Sequence, residues 1–102
     1  MNDAMRLAQA KLAKLLEAEP HTAGMYVRVH GDHLIAGRAE PLGPRHTLEH
    51  NDRVRFTRLG ANWFGVSVKR HTGRWQKTPF HGTLEDTVAA VCAVMQHLVA
   101  PS

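Results

Sequence analysis

The spacing of the apolar residues changes twice along this chain, and this restricts the fold more strongly than its composition does. From Asn2 to about Ala18, apolar residues recur at helical spacing, and Thr83 opens a second segment with the same spacing. Between these segments, from Met25 to Thr78, apolar and polar residues alternate with a period of two. The pattern predicts two amphipathic helices that flank a set of strands, each with one buried face.

Turn-forming residues divide the alternating region into five strands. Gly31-Asp32, Gly60-Ala61-Asn62 and Thr72-Gly73 are each suited to a tight turn. The stretch from Glu40 to Asn51, which contains proline and glycine, is expected to be a connecting loop and the most mobile segment. Pro79 closes the fifth strand or confines that strand to a sheet edge.

The order of elements, α-β-β-β-β-β-α, predicts an α+β fold in which an antiparallel meander sheet carries the N- and C-terminal helices on one face. A chain of 102 residues is enough for a single domain with one core, and we assign residues 1–102 to it. The other face of the sheet is left open to water. The predicted core comprises Leu12, Leu15, Val27, Val29, Val54, Phe56, Phe64, Val66, Val68, Leu84, Val88, Val91, Met95 and Leu98.

The positive charge is concentrated in one block of the chain. The formal net charge is +4, and residues 53–84 hold seven of the 13 basic residues but none of the nine acidic ones. Both tryptophans lie in the same block. Such asymmetry indicates an anionic partner, although it names no reaction.

On the predicted strand faces, basic side chains share the open side of the sheet with aromatic rings. Cations neutralise phosphates and flat rings stack on unpaired bases, so this mixture is typical of a surface that binds nucleic acid or another polyanion. Long Arg and Lys side chains also keep an open sheet face soluble, which is the simpler interpretation. The candidate contacts on this face are Arg28, Arg53, Arg55, Trp63 and Lys69.

A second candidate surface lies at the last turn, where Arg70, His71, Arg74 and Trp75 come together in the sequence. Arg and Trp are the residues that most often anchor protein interfaces. This corner therefore favours a protein partner. It adds Arg70, Arg74 and Trp75 to the candidate partner or polyanion contacts.

No catalytic constellation is visible in the sequence. Cys92 lies on the apolar stripe of the last helix, and no Gly-x-Ser-x-Gly or P-loop pattern occurs. The pairs His30-x-x-His33 and His46-x-x-x-His50 each supply two imidazoles, fewer than the three or four ligands that zinc normally takes. We therefore expect neither an enzyme nor a bound metal or cofactor.

The leading functional hypothesis is a small non-enzymatic domain that binds a protein partner or acts as an adaptor. The alternative is nucleic-acid binding through the basic and aromatic sheet face. A single cysteine and the lack of an apolar run of about 20 residues predict a cytoplasmic protein that does not enter the membrane. The charges among the first residues do not fit a secretory signal.

Several segments of the C-terminal half carry a resemblance to other proteins. They are Phe56-Thr57-Arg58-Leu59-Gly60, Gly65-Val66-Ser67-Val68, Thr72-Gly73-Arg74-Trp75 and Thr78-Pro79-Phe80. In these segments the chain resembles short bacterial proteins of about 100 residues that have no assigned activity. The resemblance implies a bacterial cytoplasmic protein and transfers no catalytic or binding residue.

Overall fold

The computed structural model describes residues 3–42 and 47–99, and it confirms the predicted antiparallel meander. The elements are α1 (Asp3–Glu17), β1 (Tyr26–His30), β2 (His33–Leu42), β3 (Thr47–Gly60), β4 (Trp63–Lys69), β5 (Trp75–Gly82), α2 (Leu84–Val94) and α3 (Gln96–Val99). The strands pair in chain order, so β1 and β5 form the sheet edges. The predicted helix start at Asn2 lies outside the described residues.

The helices cover one face of the sheet, and the core lies between the two layers. Leu34, Phe56 and Val66 of the strands are buried there together with Leu12 and Val91 of the helices. Away from the register shifts between strands, alternation places every second side chain in this layer, as the sequence predicts. The opposite face of the sheet carries no helix among the described residues, and it is called the open face below.

One residue of the predicted core lies outside it. Val29 pairs with buried Leu34 and so belongs to the helix side, yet it is 39% exposed. The reason is its place on an edge strand, near the turn into β2. Helix α1 contacts β1 further back, where Gln9 Nε2 donates a hydrogen bond to the Val27 carbonyl at 2.8 Å.

Both sheet edges carry features that discourage pairing with another chain. On β1, the hydrogen bond from Gln9 occupies the carbonyl of Val27. On β5, the register with β4 shifts between Gly65 and Ser67, and Pro79 lies in the shifted segment. The prediction that Pro79 belongs to an edge strand is therefore confirmed.

The predicted loop over residues 40–51 is wrong at both of its ends, which are paired strand. Strands β2 and β3 continue as a two-stranded extension, in which Pro41 pairs with Leu48. Proline is tolerated there because β1 pairs with β2 only as far as Gly37, so β2 has a single neighbour beyond that point. Residues 43–46 of the predicted loop lie outside the described residues.

The last helix begins as predicted but is interrupted. The Thr83 hydroxyl accepts a hydrogen bond from the Asp86 amide at 3.1 Å, which confirms the predicted N-cap. Met95, with φ −119° and ψ 30°, then leaves the helical conformation, and α3 follows as a separate turn. After this break, the carbonyls of Leu98 and Val99 face arginine side chains of the sheet.

Candidate functional site

A β-bulge decides which side chains of β3 reach the open face. Ala36 pairs with Val54 and Gly37 pairs with Asp52, which leaves Arg53 without a partner of its own. A bulge re-aims the side chains around the extra residue. Arg53 thereby joins the helix side, whereas Asp52 reaches the open face.

The prediction that Arg53 lies on the open face is therefore wrong. Its Nη1 donates a hydrogen bond to the Leu98 carbonyl at 2.8 Å, and its Nη2 forms an ion pair with the Glu40 carboxylate. The guanidinium is partly buried beside α3 and has partners within the chain. Arg53 is accordingly removed from the candidate contacts for a polyanion.

Arg28 lies on the open face as predicted, but an acid neutralises it. Its Nη2 is 2.6 Å from Asp52 Oδ2, and the Tyr26 hydroxyl donates to the same carboxylate. Burial raises the pKa of Asp52, but the hydrogen bonds from Arg28 and Tyr26 outweigh burial and hold that pKa below its usual value. The carboxylate stays ionised, so Arg28 offers little net charge to a partner.

Trp75 also lies on the open face, where two cations cover its ring. Arg55 Cζ is 5.0 Å from the ring centroid, and Lys69 Nζ is 5.8 Å from it. Cations on an aromatic face are attracted by its quadrupole. The half-buried ring therefore helps to position Arg55 and Lys69, and its predicted role as a partner contact stays a prediction.

The corner at the β4–β5 turn does not gather the predicted protein anchors. Trp75 is turned onto the sheet cations, and the Arg70 guanidinium donates to the Gln76 side chain. Arg74 is exposed beside Gly73, whose φ of +86° makes the predicted tight turn. Arg74 therefore has no exposed tryptophan next to it.

The open face around β4 contains two rows of side chains that stand opposite one another on β2, β3, β4 and β5. One row is Ile35, Arg55, Ser67 and Lys77, and the next is His33, Thr57, Gly65 and His81. The β4 members, Ser67 and Gly65, are small, whereas their neighbours are large. The neighbours thus enclose a groove of about 320 Å³ above this strand, which we call the β4 groove.

The lining of the β4 groove is cationic and rich in hydrogen-bond donors. Arg55 and Lys77 contribute positive charge, and no acidic residue lines the groove in the part of the chain that the structure describes. Arg55 Nε is buried without a hydrogen-bond partner among the described residues. Burial lowers the pKa of His33, and the charges of Arg55 and His30 lower it further.

One end of the groove is apolar. Leu59 is 62% exposed and Trp63 is 45% exposed, and both lie on this face next to Gly65. The Trp63 ring centroid is 5.7 Å from that of His81, with 47° between the planes. A Cβ on Gly65 would lie 3.2 Å from Leu59 Cδ1, so the Leu59 side chain packs over the glycine backbone at this end.

Sequence reasoning included Arg55, Trp63 and Lys69 in the candidate set but missed Lys77 and the groove. The signal was the alternation along β4, in which the small Gly65 and Ser67 stand between Trp63 and Lys69 on one face. The shifted register of β5 hid the contribution of Lys77, because the shift sets which residue stands opposite Ser67.

The histidine and cysteine side chains form no recognisable reactive centre in the described part of the chain. His33 Nδ1 is 2.9 Å from Thr57 Oγ1, and its neighbour across the turn is His30. Over residues 3–42 and 47–99, no group of three or more His, Cys, Asp or Glu side chains is placed to hold a metal ion. His46 lies outside these residues. Burial raises the pKa of the Cys92 thiol, which disfavours the reactive thiolate.

Comparison with known proteins finds no matching family model, no matching curated protein and no matching solved structure. The resemblance to short bacterial proteins stays a prediction. Within the described residues, no helix has the length and apolarity to cross a bilayer. The chemistry of the β4 groove is therefore the basis for a functional proposal.

Proposed function

We propose that the protein is a non-enzymatic binding domain that engages an anionic partner in the β4 groove. The observation that supports this proposal is the row in which Arg55 and Lys77 flank the small Ser67, with no acid lining the groove among the described residues. This surface is narrower than the basic face expected from the sequence, because carboxylates neutralise Arg28 and Arg53.

The spacing of the row suits a single oxoanion. Arg55 and Lys77 lie two strands apart, about 10 Å between backbones, so both side chains can reach a group held above Ser67. An ion pair in open water is worth only about 1 kcal/mol or less. The walls of a groove exclude part of the water and strengthen each contact.

Preorganisation adds to this affinity. The cation–π contact with Trp75 holds the Arg55 guanidinium before any ligand arrives. A side chain that is already ordered loses less conformational entropy on binding. Arg55 also presents several fixed donors, which match the geometry of phosphate and carboxylate groups.

Two classes of partner carry such groups. One is a protein segment with acidic or phosphorylated side chains, which fits an adaptor role, and the other is a nucleic acid. The exposed ring of Trp63 beside the groove favours the nucleic acid, since a base can stack on it.

The proposal is tested by titrating labelled anionic probes, a thymidine oligonucleotide and a phosphoserine peptide, in about 50 to 200 mM salt. The groove variant carries Arg55→Gln and Lys77→Gln. The matched control carries Arg6→Gln and Lys14→Gln, which remove the same charge from exposed positions on α1. Loss of two phosphate contacts should reduce the salt slope for the oligonucleotide by roughly 1.4.

We expect the groove variant to lose at least about 10-fold in affinity, and the α1 variant to lose much less, because a nearby ion pair outweighs a distant charge. Circular dichroism checks that both variants stay folded. Equal losses in the two variants would show that net charge, and not the groove, drives binding. No binding of either probe at the lowest salt would refute the proposal.

A further inference from the structure

The two ends of the β4 groove differ in chemistry. The end formed by Arg55, Ser67 and Lys77 is basic, and the end next to Leu59 and Trp63 is apolar. Successive residues on one face of a strand are about 7 Å apart, so the step from Ser67 past Gly65 to Trp63 spans roughly 13 Å. A ligand that fits both ends combines an anionic group with an apolar, flat body at about this distance.

Building on the proposed anion binding, we propose that the β4 groove takes two successive nucleotides of an unpaired strand. The phosphate of one lies between Arg55 and Lys77, and the base of the next stacks on Trp63. A phosphate lies closer to its own base than this separation, whereas the phosphate of one nucleotide and the base of its neighbour along an extended strand can span it. The acidic side chain of a peptide supplies the charge without the flat ring.

The donors of the groove match a phosphate better than a carboxylate. Besides the two cations, the hydroxyls of Thr57 and Ser67 and the imidazole of His81 line it. A tetrahedral phosphate directs oxygens toward several walls at once, whereas a planar carboxylate offers two oxygens in one plane.

The aromatic end distinguishes an unpaired strand from a duplex. Trp63 is 45% exposed, and its ring is tilted 47° to the His81 ring, so the two rings do not stack face to face. Bases inside a duplex are stacked on their neighbours and cannot lie on a protein ring. Binding should therefore require unpaired bases.

The experiment compares five probes by fluorescence anisotropy and competition. They are a thymidine oligonucleotide, an abasic oligonucleotide of equal length, a duplex, thymidine monophosphate and a phosphoserine peptide. We expect the thymidine oligonucleotide to bind at least about 10-fold more tightly than each of the others, because only an unpaired strand supplies a phosphate at the basic end and, at the same time, a neighbouring base at Trp63.

The variant Trp63→Leu should lower affinity for the thymidine oligonucleotide to the level of the abasic one, which itself should not change. Trp63→Tyr, which keeps a flat ring, should restore most of the difference. Thermal melts establish that both variants fold, as expected for an exposed position.

The outcomes separate this inference from the proposed function. If the abasic and thymidine oligonucleotides bind equally and Arg55→Gln with Lys77→Gln weakens both, the groove binds anions and the base assignment is wrong. Equal affinity for thymidine monophosphate or for the duplex would overturn the assignment to an unpaired strand. Tighter binding of the phosphoserine peptide would assign the groove to a protein partner. If no probe binds, both proposals fail.

Discussion

Replacing Arg38 with methionine should destabilise this protein strongly, although the residue lies far from the β4 groove. Arg38 is only 9% exposed, and its guanidinium donates three hydrogen bonds to main-chain carbonyls. The acceptors are Val99 at 2.8 Å, Ala23 at 2.9 Å and His21 at 2.9 Å. One side chain thereby joins β2 to the segment that follows α1 and to the end of α3.

The magnitude follows from these three contacts. A hydrogen bond from a charged donor contributes about 1.5 to 3 kcal/mol. His21 and Ala23 are accessible to water, so water can replace part of the hydrogen bonding that their carbonyls lose. Val99 is buried, so the loss of its hydrogen bond is not compensated in this way. Burial of the guanidinium, which lowers the pKa of Arg38, offsets part of the gain. The net loss should be about 2 to 4 kcal/mol.

Methionine keeps the apolar length of the side chain, so the variant removes mainly the hydrogen bonds. For a domain of this size, 1 kcal/mol shifts Tm by about 4 to 8 °C, and the expected fall is roughly 8 to 32 °C. Thermal melts followed by circular dichroism measure it. Arg74→Met, at an exposed turn, is the matched control and should keep the Tm of the parent protein. An unchanged Tm for Arg38→Met would refute this account of how α3 is held.

Three further substitutions test the sheet. Gly37→Ala should cost more than about 2 kcal/mol in urea unfolding, because its Cβ would lie 2.2 Å from the Asn51 carbonyl oxygen; parent-like stability would contradict the bulge. Val66→Asp, at a site 2% exposed, should abolish cooperative unfolding or cost several kcal/mol, and an unchanged Tm would contradict the assigned core face. Asp52→Asn should lose its ion pair with Arg28 at pH 7. Because the folded-state pKa of Asp52 is depressed, the stabilising effect of the ion pair is present above about pH 4 and is lost as pH falls through that pKa. The Tm values of the parent protein and Asp52→Asn should therefore converge at lower pH. A Tm difference that does not change with pH would argue against the Arg28–Asp52 ion pair.

The fold could be predicted from the sequence because each element buries one face and shows its own period. The alternation of Val54 and Phe56 in β3 and of Phe64 and Val66 in β4 indicated both the strands and their core face. Local capping indicated the start of α2 at Thr83. These are local signals, and they do not depend on where the chain later packs.

The orientation of Arg53 could not be read in the same way, because it depends on a bulge between two strands. Strict alternation places Arg53 and Val54 on different faces of the sheet, and the single extra residue of the bulge reverses the face of Arg53. The available signal was Gly37, since an isolated glycine within a strand pattern often marks a bulge or a close backbone approach. The approach of the Asn51 carbonyl to this glycine supports that interpretation.

The loop predicted over residues 40–51 failed for a different reason. Proline has no backbone N–H, so it disrupts a strand only where a neighbouring strand would accept a hydrogen bond from that position. Past Gly37, β2 has a neighbour on one side only, so Pro41 is accommodated. The missing neighbour results from the short length of β1, and the residues around Pro41 give no sign of that length.

Residues 53–84 contain no acidic side chain, and this explains why the β4 groove stays positive. The two acids that form ion pairs with Arg28 and Arg53 are Asp52 on β3 and Glu40 on β2. Both lie outside residues 53–84. Strands β4 and β5 lie wholly within that block, so neither contributes a carboxylate beside Arg55 or Lys77. The positive charges of Arg55 and Lys77 face one groove and repel each other, and this repulsion does not favour folding. An anion between the two side chains would remove this repulsion, which is the physical basis of the proposed function.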